Sequence, residues 1–300
     1  MDGVLNVCKP PGMTSHDVVT HVRRTAGIKR VGHTGTLDPM AAGVLVLCLG
    51  RGTRAAEYLV HADKSYVAEL TLGVSTDTLD AEGDIVAEAD ASGVTEKAMR
   101  EGLAGLVGER EQRPPMFSAA KRQGRKLYEL ARQGQTVERA PRRVSIHGVS
   151  LLRMEPGKRA KALFEVTCSK GTYVRSLCAE LGEALGCGGH LSFLVRTRAG
   201  RHRLEQARTI EELPDRAAIE SGLEPLSAAL AHLPLIEVSA RQRRMLANGR
   251  PVWVSRQVEA EPADGALARG CDSDGELVCV GEYTREAQRG VLRPKKVFVN

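Results

Sequence analysis

The chain has 300 residues, 42% of them hydrophobic, and a net charge of +6. That is ample for a core and suits one large domain or two. Seven cysteines form no C-x-x-C pair and no zinc-like spacing, which points to a reducing compartment and away from a disulfide framework. The longest apolar runs are far short of a membrane span. The N-terminus, MDGVLNVCKPPG, has Lys9 and two prolines where a signal peptide needs an apolar stretch, so a soluble cytoplasmic protein is expected.

In chain order, the first 30 residues read as strand, turn and helix. Thr14 or Ser15 can cap a helix that carries Val18, Val19, Val22 and Ala26 at helical spacing, and Gly27 ends it. Next comes GHTGTLDPMAAGVL, residues 32–45. Gly32 and Gly35 open backbone angles closed to other residues, and Pro39 pushes Asp38 away from helical angles. Asp38 is therefore expected on a shaped loop mounted on the apolar strand VLVLCL, the kind of place where chemistry is found. The structural alternative is a turn in which Asp38 bonds its own backbone.

A short helix is expected through Leu59, then the alternating strand SYVAELTLGVST. DTLDAEGDIV fits a calcium loop poorly, with Thr78 and Ala89 at the first and last ligand positions, and is read as a hairpin. SGVTEKAMREGLAGLVG is a capped amphipathic helix. QGRKLYELARQG reads as a short helix. VSIHGVSLLRME and KALFEVTCSKGTYV read as strands, SLCAELGEALG as a helix, and GHLSFLVRTRAGRHRL as an arginine-rich strand. Irregular alternation with several hairpins argues for a mixed α+β sheet. A break near residues 222–236 precedes a small β-rich module of short strands.

Charge is concentrated in one place. Residues 110–143 hold ten Lys or Arg against three Glu, an excess of seven, so the rest of the chain is near neutral. Proline at both ends, in RPPM and APRR, suggests an insertion bounded by turns. A basic surface of this kind suits a polyanion, most often nucleic acid. A solvated helix face is the plain alternative. Phe117 and Tyr128, among the charges, could stack on bases or simply pack.

Several chemistries are disfavoured. No G-x-G-x-x-G follows a strand, SKGT lacks a Walker loop, and no H-E-x-x-H appears. Cys187 and His190 make only a lone C-x-x-H, and no metal site is expected. Asp38 remains as a candidate nucleophile or base, with Tyr66, Tyr173 and Arg175 as candidate partners. A nearby arginine would keep the carboxylate ionised. On spacing alone, Arg175 could equally be a phosphate contact or a surface residue.

Six stretches in order, LNVCKPPGMTSHDVV, GHTGTLDPMAAGVLVLCLG, DKSYVAELTLGVSTDTLDAEG, PPMFSAAKRQGRKLYELARQG, CSKGTYVRSL and GCGGHLSFLVRTRAG, resemble the bacterial tRNA pseudouridine synthase B family. The resemblance implies a pseudouridine synthase fold, an α+β architecture with a largely antiparallel central sheet flanked by helices. It places the catalytic domain at 1–233, with a thumb insertion at about 110–143, and a PUA-like RNA-binding barrel at 234–300. It implies isomerisation of uridine 55 in the tRNA T loop. Asp38 matches the family's catalytic aspartate, Tyr66 the tyrosine stacked on the target base, and Arg175 the arginine paired with the carboxylate. His33 matches the histidine that enters the T loop. Tyr173 and Leu194 match residues of the base pocket, and Lys9 and Lys64 match positions near the RNA path.

Pseudouridylation breaks the bond from ribose C1′ to N1, turns the uracil and rejoins it through C5. The base must leave its stack, at a cost of a few kcal/mol. No redox step or hydrolysis occurs, so no cofactor is expected. The expected partner is the T stem-loop of tRNA, with no membrane and no protein partner, for a monomer. Burial raises the Asp38 pKa and Arg175 lowers it, and the expectation is that the arginine wins. Two rival readings remain: a non-catalytic T-arm-binding tRNA folding chaperone, and an archaeal- or eukaryotic-type synthase in a guide-RNA particle. The anion at Asp38 speaks against the first and the basic thumb against the second.

Overall fold

The computed structural model describes residues 1–118, 120–122, 124–131, 133–135, 137–254, 262–286 and 289–299. Gln123 of the expected thumb helix and Arg132 of the basic segment lie outside them.

Among the described residues the larger sheet has nine strands; it is mixed, as the irregular alternation implied, and mostly antiparallel, as the family resemblance implied. Its main path runs Gly3–Lys9, Ala42–Leu49, Gly189–Ala199, Lys64–Leu72, Lys161–Cys168, Arg142–Glu155, Gly108–Gln112. Among the described strands of this sheet one pairing is parallel, that of Gly189–Ala199 with Ala42–Leu49, with Arg196 opposite Gly43. This pairing brings the arginine-rich strand under the GHTGTLDP loop.

The first helix, Ser15–Ala26, forms as its sequence requires. Thr14 and Asp17 make a reciprocal capping box, and Gly27 ends the helix at φ 66°. Its Val18, Val19 and Val22 pack on Leu5, Val7, Leu45 and Leu47 of the first two strands. Helices Glu96–Ala104 and Val174–Ala184 cover the other half of the sheet, where Met99, Leu103, Leu177 and Leu181 meet Leu70, Phe164 and Val166. The acidic turn is a hairpin, as read, between Val74–Thr76 and Ile85–Glu88. Gln112 pairs with Arg142, so residues 113–141 leave the sheet edge and return to it. Within them Leu127–Ala131 is helical.

One expectation about glycine is corrected. Neither Gly32 nor Gly35 adopts a positive φ. The glycine that the loop needs is Gly43, at φ +102°, where a Cβ would land on the Arg196 carbonyl oxygen.

A second, five-stranded sheet is built from Leu235–Glu237, Leu267–Cys271, Leu277–Glu286, Arg289–Val297 and Val252–Val254. The strand-dominated reading of this region missed a helix, Ala240–Ala247. Its capping box, Ser239 with Gln242, was legible as S-x-x-Q. The two sheets share a buried cluster in which Ala55 and Leu230 meet Cys271, Val280 and Phe298. Arg51 donates to the Phe298 carbonyl at 2.6 Å across the same junction. All seven cysteines are free thiols.

Candidate active site

The GHTGTLDP loop is held by backbone contacts on several sides. The Ser15 hydroxyl accepts from Leu37 N at 2.8 Å and donates to Leu37 O. Lys9 is fully buried, and its ammonium donates to the carbonyls of Pro10, Met13 and Pro39 at 2.9, 2.6 and 3.1 Å. Arg196, 2% exposed, donates to Val44 O, Thr36 O and Gly35 O at 2.7, 3.3 and 3.0 Å. Two buried cations thus fix the loop that carries Asp38.

Arg175 lies in the first turn of helix Val174–Ala184. It forms a two-pronged ion pair with Asp38: Nη2 donates a hydrogen bond to Oδ1 at 3.1 Å, and Nε lies 2.9 Å from Oδ2, within ion-pair distance but without hydrogen-bond geometry. The same guanidinium donates to Thr78 O at 2.9 Å and Phe117 O at 2.7 Å, and sits 3.2 Å from Asp80 Oδ2. Asp80 is buried and also accepts from the Thr78 hydroxyl and Glu82 N. It follows Leu79, a non-glycine residue at φ 65°, an uncommon backbone state that costs energy and clusters at functional sites.

Asp38 and Arg175 line a recess of about 310 Å³. Tyr66, Tyr173, Leu194, Lys64 and Arg196 line it as well, among others. Tyr66 stands directly across from Arg196 on the neighbouring strand. Gln112 clamps the Tyr173 backbone, accepting from its N–H at 2.7 Å and donating to its carbonyl at 3.1 Å.

Not every expected residue reaches the recess. Lys9 is wholly occupied with carbonyls beneath the loop, so it supports the loop instead of facing an RNA path. His33 lies on the short strand Val31–His33, opposite Leu47 and outside the recess lining, with Nδ1 buried and unpartnered. Lys64 lines the recess, but its ammonium is tied to Val60 O and Ala62 O. Cys187 and His190 bond backbone carbonyls, of Gly188 and Val74. Sequence reasoning missed Asp80, Arg196 and Gln112. The recurrence of aspartate in DTLD was the available sign for Asp80.

The electrostatics correct one expectation. Burial pushes the Asp38 carboxyl above its ordinary value, and Arg175 does not reverse this. The side chain keeps 32% of its surface open, but it opens into a recess and not to bulk water. Arg175 is also divided between two carboxylates, and Asp80 pushes Asp38 further up. Burial raises the Tyr66 phenol, with Arg196 opposing, and so favours its neutral form. Burial brings Lys9 and Lys64 down to about 8, and lowers His33 with help from Arg196.

Residues 23–174 match the profile of the TruB family pseudouridylate synthase N-terminal domain, and residues 175–232 that of the tRNA pseudouridylate synthase B C-terminal domain. The chain belongs to the TruB family of pseudouridylate synthases. It is 55% identical over 249 residues to the tRNA pseudouridine synthase B of Symbiobacterium thermophilum, covering 83% of this chain and 82% of that protein. It is 44% identical over 304 residues to that of Moorella thermoacetica, covering 99% of each. Among solved structures it resembles a chain of an H/ACA RNP bound to a substrate RNA containing 2′-deoxyuridine, with a TM-score of 0.76 and 27% identity over 99% of this chain and 85% of that one. A Cbf5–Nop10–Gar1 complex gives a TM-score of 0.75 and 29% identity over the same shares. The fold is thus that of the pseudouridine synthases. Among the described residues no helix is long and apolar enough to cross a membrane.

Proposed function

We propose that this chain isomerises uridine 55 to pseudouridine in the T loop of tRNA, with Asp38 as the catalytic carboxylate. The observation that carries the reading is the two-pronged Arg175–Asp38 pair on the wall of the recess. A carboxylate beside bound RNA repels phosphate, so a pure binder has no use for one held there by a buried arginine. This disfavours the chaperone reading.

The target base enters the recess against Tyr66, Tyr173 and Leu194, and the aromatic ring offsets part of the lost stacking. Asp38 acts as the carboxylate. Attack on C1′, attack on C6 of the base and proton removal leading to a glycal all need that ionised form. In each, the C1′–N1 electron pair leaves with the base, and C5 bonds to C1′ while the C5 hydrogen is expelled and N1 gains a proton. The Asp38 bond to C1′ or C6 breaks to restore the carboxylate, or, on the glycal route, the removed proton returns to the ribose. Tyr66, kept neutral by burial, can give a proton at the base. His33 approaches the T loop, and Lys9 and Lys64 support the RNA path from beneath by fixing its floor. The basic segment at 110–143 is the thumb that grips the phosphates, which favours direct RNA recognition over a guide-RNA particle. We divide the chain into a catalytic domain at 1–233 and a PUA-like RNA-binding domain at 234–300, acting as a cytoplasmic monomer without a protein partner.

The test is T-arm RNA carrying tritium at uracil C5. Wild-type protein releases tritium and Asp38→Ala does not, with RNA binding kept in both. Tight binding without release from either protein would leave the chaperone reading. Release from both would mean that Asp38 only holds its loop.

A further inference from the structure

The recess is electrostatically divided. Its lining holds the Asp38 carboxylate and the Arg175 guanidinium, the latter paired outside the lining with the buried Asp80. It also holds two cations, Arg196 and Lys64: Lys64 donates to the Val60 and Ala62 carbonyls, and Arg196 to the Val44, Thr36 and Gly35 carbonyls, with the Tyr66 phenol also in hydrogen-bond contact with it. Among the described residues neither has a carboxylate within ion-pair distance. Arg196 is 2% exposed and Lys64 8%. A buried cation without an anion is costly. Three carbonyls could be satisfied by a neutral donor, so loop support alone does not call for a second buried charge beside Lys64.

The reaction supplies a missing anion. When C1′–N1 breaks, the bonding pair stays with uracil, which carries a negative charge spread over its ring until C5 bonds to C1′ and N1 is protonated. That charge develops inside a low-dielectric recess, where fixed positive groups act most strongly. Arg196 is positioned for it by the parallel pairing with Gly43 and by standing opposite Tyr66, the residue against which the base lies in the reading above. We propose that Arg196, assisted by Lys64, is the counter-charge for the departing uracil anion, in addition to fixing the loop that carries Asp38. The inference rests on the synthase reading of the same site.

The two roles of Arg196 separate by leaving group. Fluorine at C5 withdraws electrons and stabilises the uracil anion without help from the protein. T-arm RNA with uridine or 5-fluorouridine at the target position is compared in single-turnover reactions, following consumption of the target nucleoside after nuclease digestion. Arg196→Gln is expected to slow the uridine substrate by about 100-fold or more, the scale of losing one electrostatic stabiliser. The loss on 5-fluorouridine is expected to be about tenfold smaller, and Arg196→Lys to recover part of the uridine rate. Lys64→Gln, which leaves the GHTGTLDP loop contacts intact, should show the same differential at smaller size and covers the case in which Arg196→Gln does not fold. Equal losses on both substrates in both variants would overturn the proposal and leave Arg196 as a loop support. Failure of wild type to consume uridine would instead sink the synthase reading itself.

Discussion

Arg175 and Asp38 are 137 positions apart in sequence and meet as a two-pronged ion pair, at 2.9 and 3.1 Å. Arg175 is simultaneously shared with Asp80, Thr78 O and Phe117 O. Its charge is therefore split, while its aim is over-determined by partners from three separate segments of chain.

That sharing sets the pH dependence. On the proposed mechanism the active form of Asp38 is the carboxylate, so activity is expected to fall as pH drops through its pKa. Burial and Asp80 raise that pKa, so the acid limb lies above the ordinary carboxylate range. In Asp80→Asn the like charge is gone and Arg175 serves Asp38 alone, so the limb moves to lower pH. The plateau falls about 10- to 100-fold, since the buried ion pair that helps aim Arg175 is lost. Single-turnover rates across pH check this, and a limb that stays put or climbs would refute the coupling.

Lys9→Met keeps the aliphatic stem but removes the donor to three carbonyls. A loss of about 2–4 kcal/mol in urea unfolding is expected. The sign of the pH effect follows from a folded pKa of about 8, below that of free lysine. Between pH 8 and the unfolded value, the unfolded chain binds the extra proton, so wild-type stability gains from this group as pH rises. The gap between wild type and Lys9→Met should widen from pH 7 to pH 10, and a constant or narrowing gap would contradict the burial argument.

Two glycines of one loop region should respond differently to alanine. Gly43→Ala meets the Arg196 carbonyl at a positive φ and should cost about 2 kcal/mol or more, together with activity. Gly32→Ala points into open space and should stay within about 0.5 kcal/mol. Thermal melts of both variants decide, and equal effects would count against the close approach at Arg196.

Arg142 and Lys170 are exposed at the rim of the recess. If each contacts a phosphate, the Arg142→Ala, Lys170→Ala pair should flatten the slope of log K against log salt by about 1.4–1.8 and weaken RNA binding. The single-turnover rate at saturating RNA should stay within about threefold of wild type, because among the described residues the Asp38 carboxyl is ion-paired with Arg175 and with neither of these cations. Filter binding over a salt series reads the slope, and an unchanged slope would remove both residues from the RNA path.

The sequence by itself determined the local pieces. Thr14, Asp17 and Gly27 fix the first helix because capping needs only neighbours. The alternating run from Lys64 to Leu72 fixes a strand because side chains alternate with a period of two. The family motifs marked Asp38, Tyr66 and Arg175, and the charge excess at 110–143 marked the basic insertion. Tertiary structure alone decided how charge is distributed among them. Asp80 enters the site from a hairpin that reads as an ordinary acidic turn. Arg196 lies under the loop because two distant strands pair in parallel at Gly43. Lys9, which the resemblance placed near the RNA path, is buried against carbonyls. The reason is physical: capping and periodicity act over a few residues, whereas a carboxyl pKa depends on burial and on every charge within several ångströms, and those neighbours are assembled only when the sheet closes.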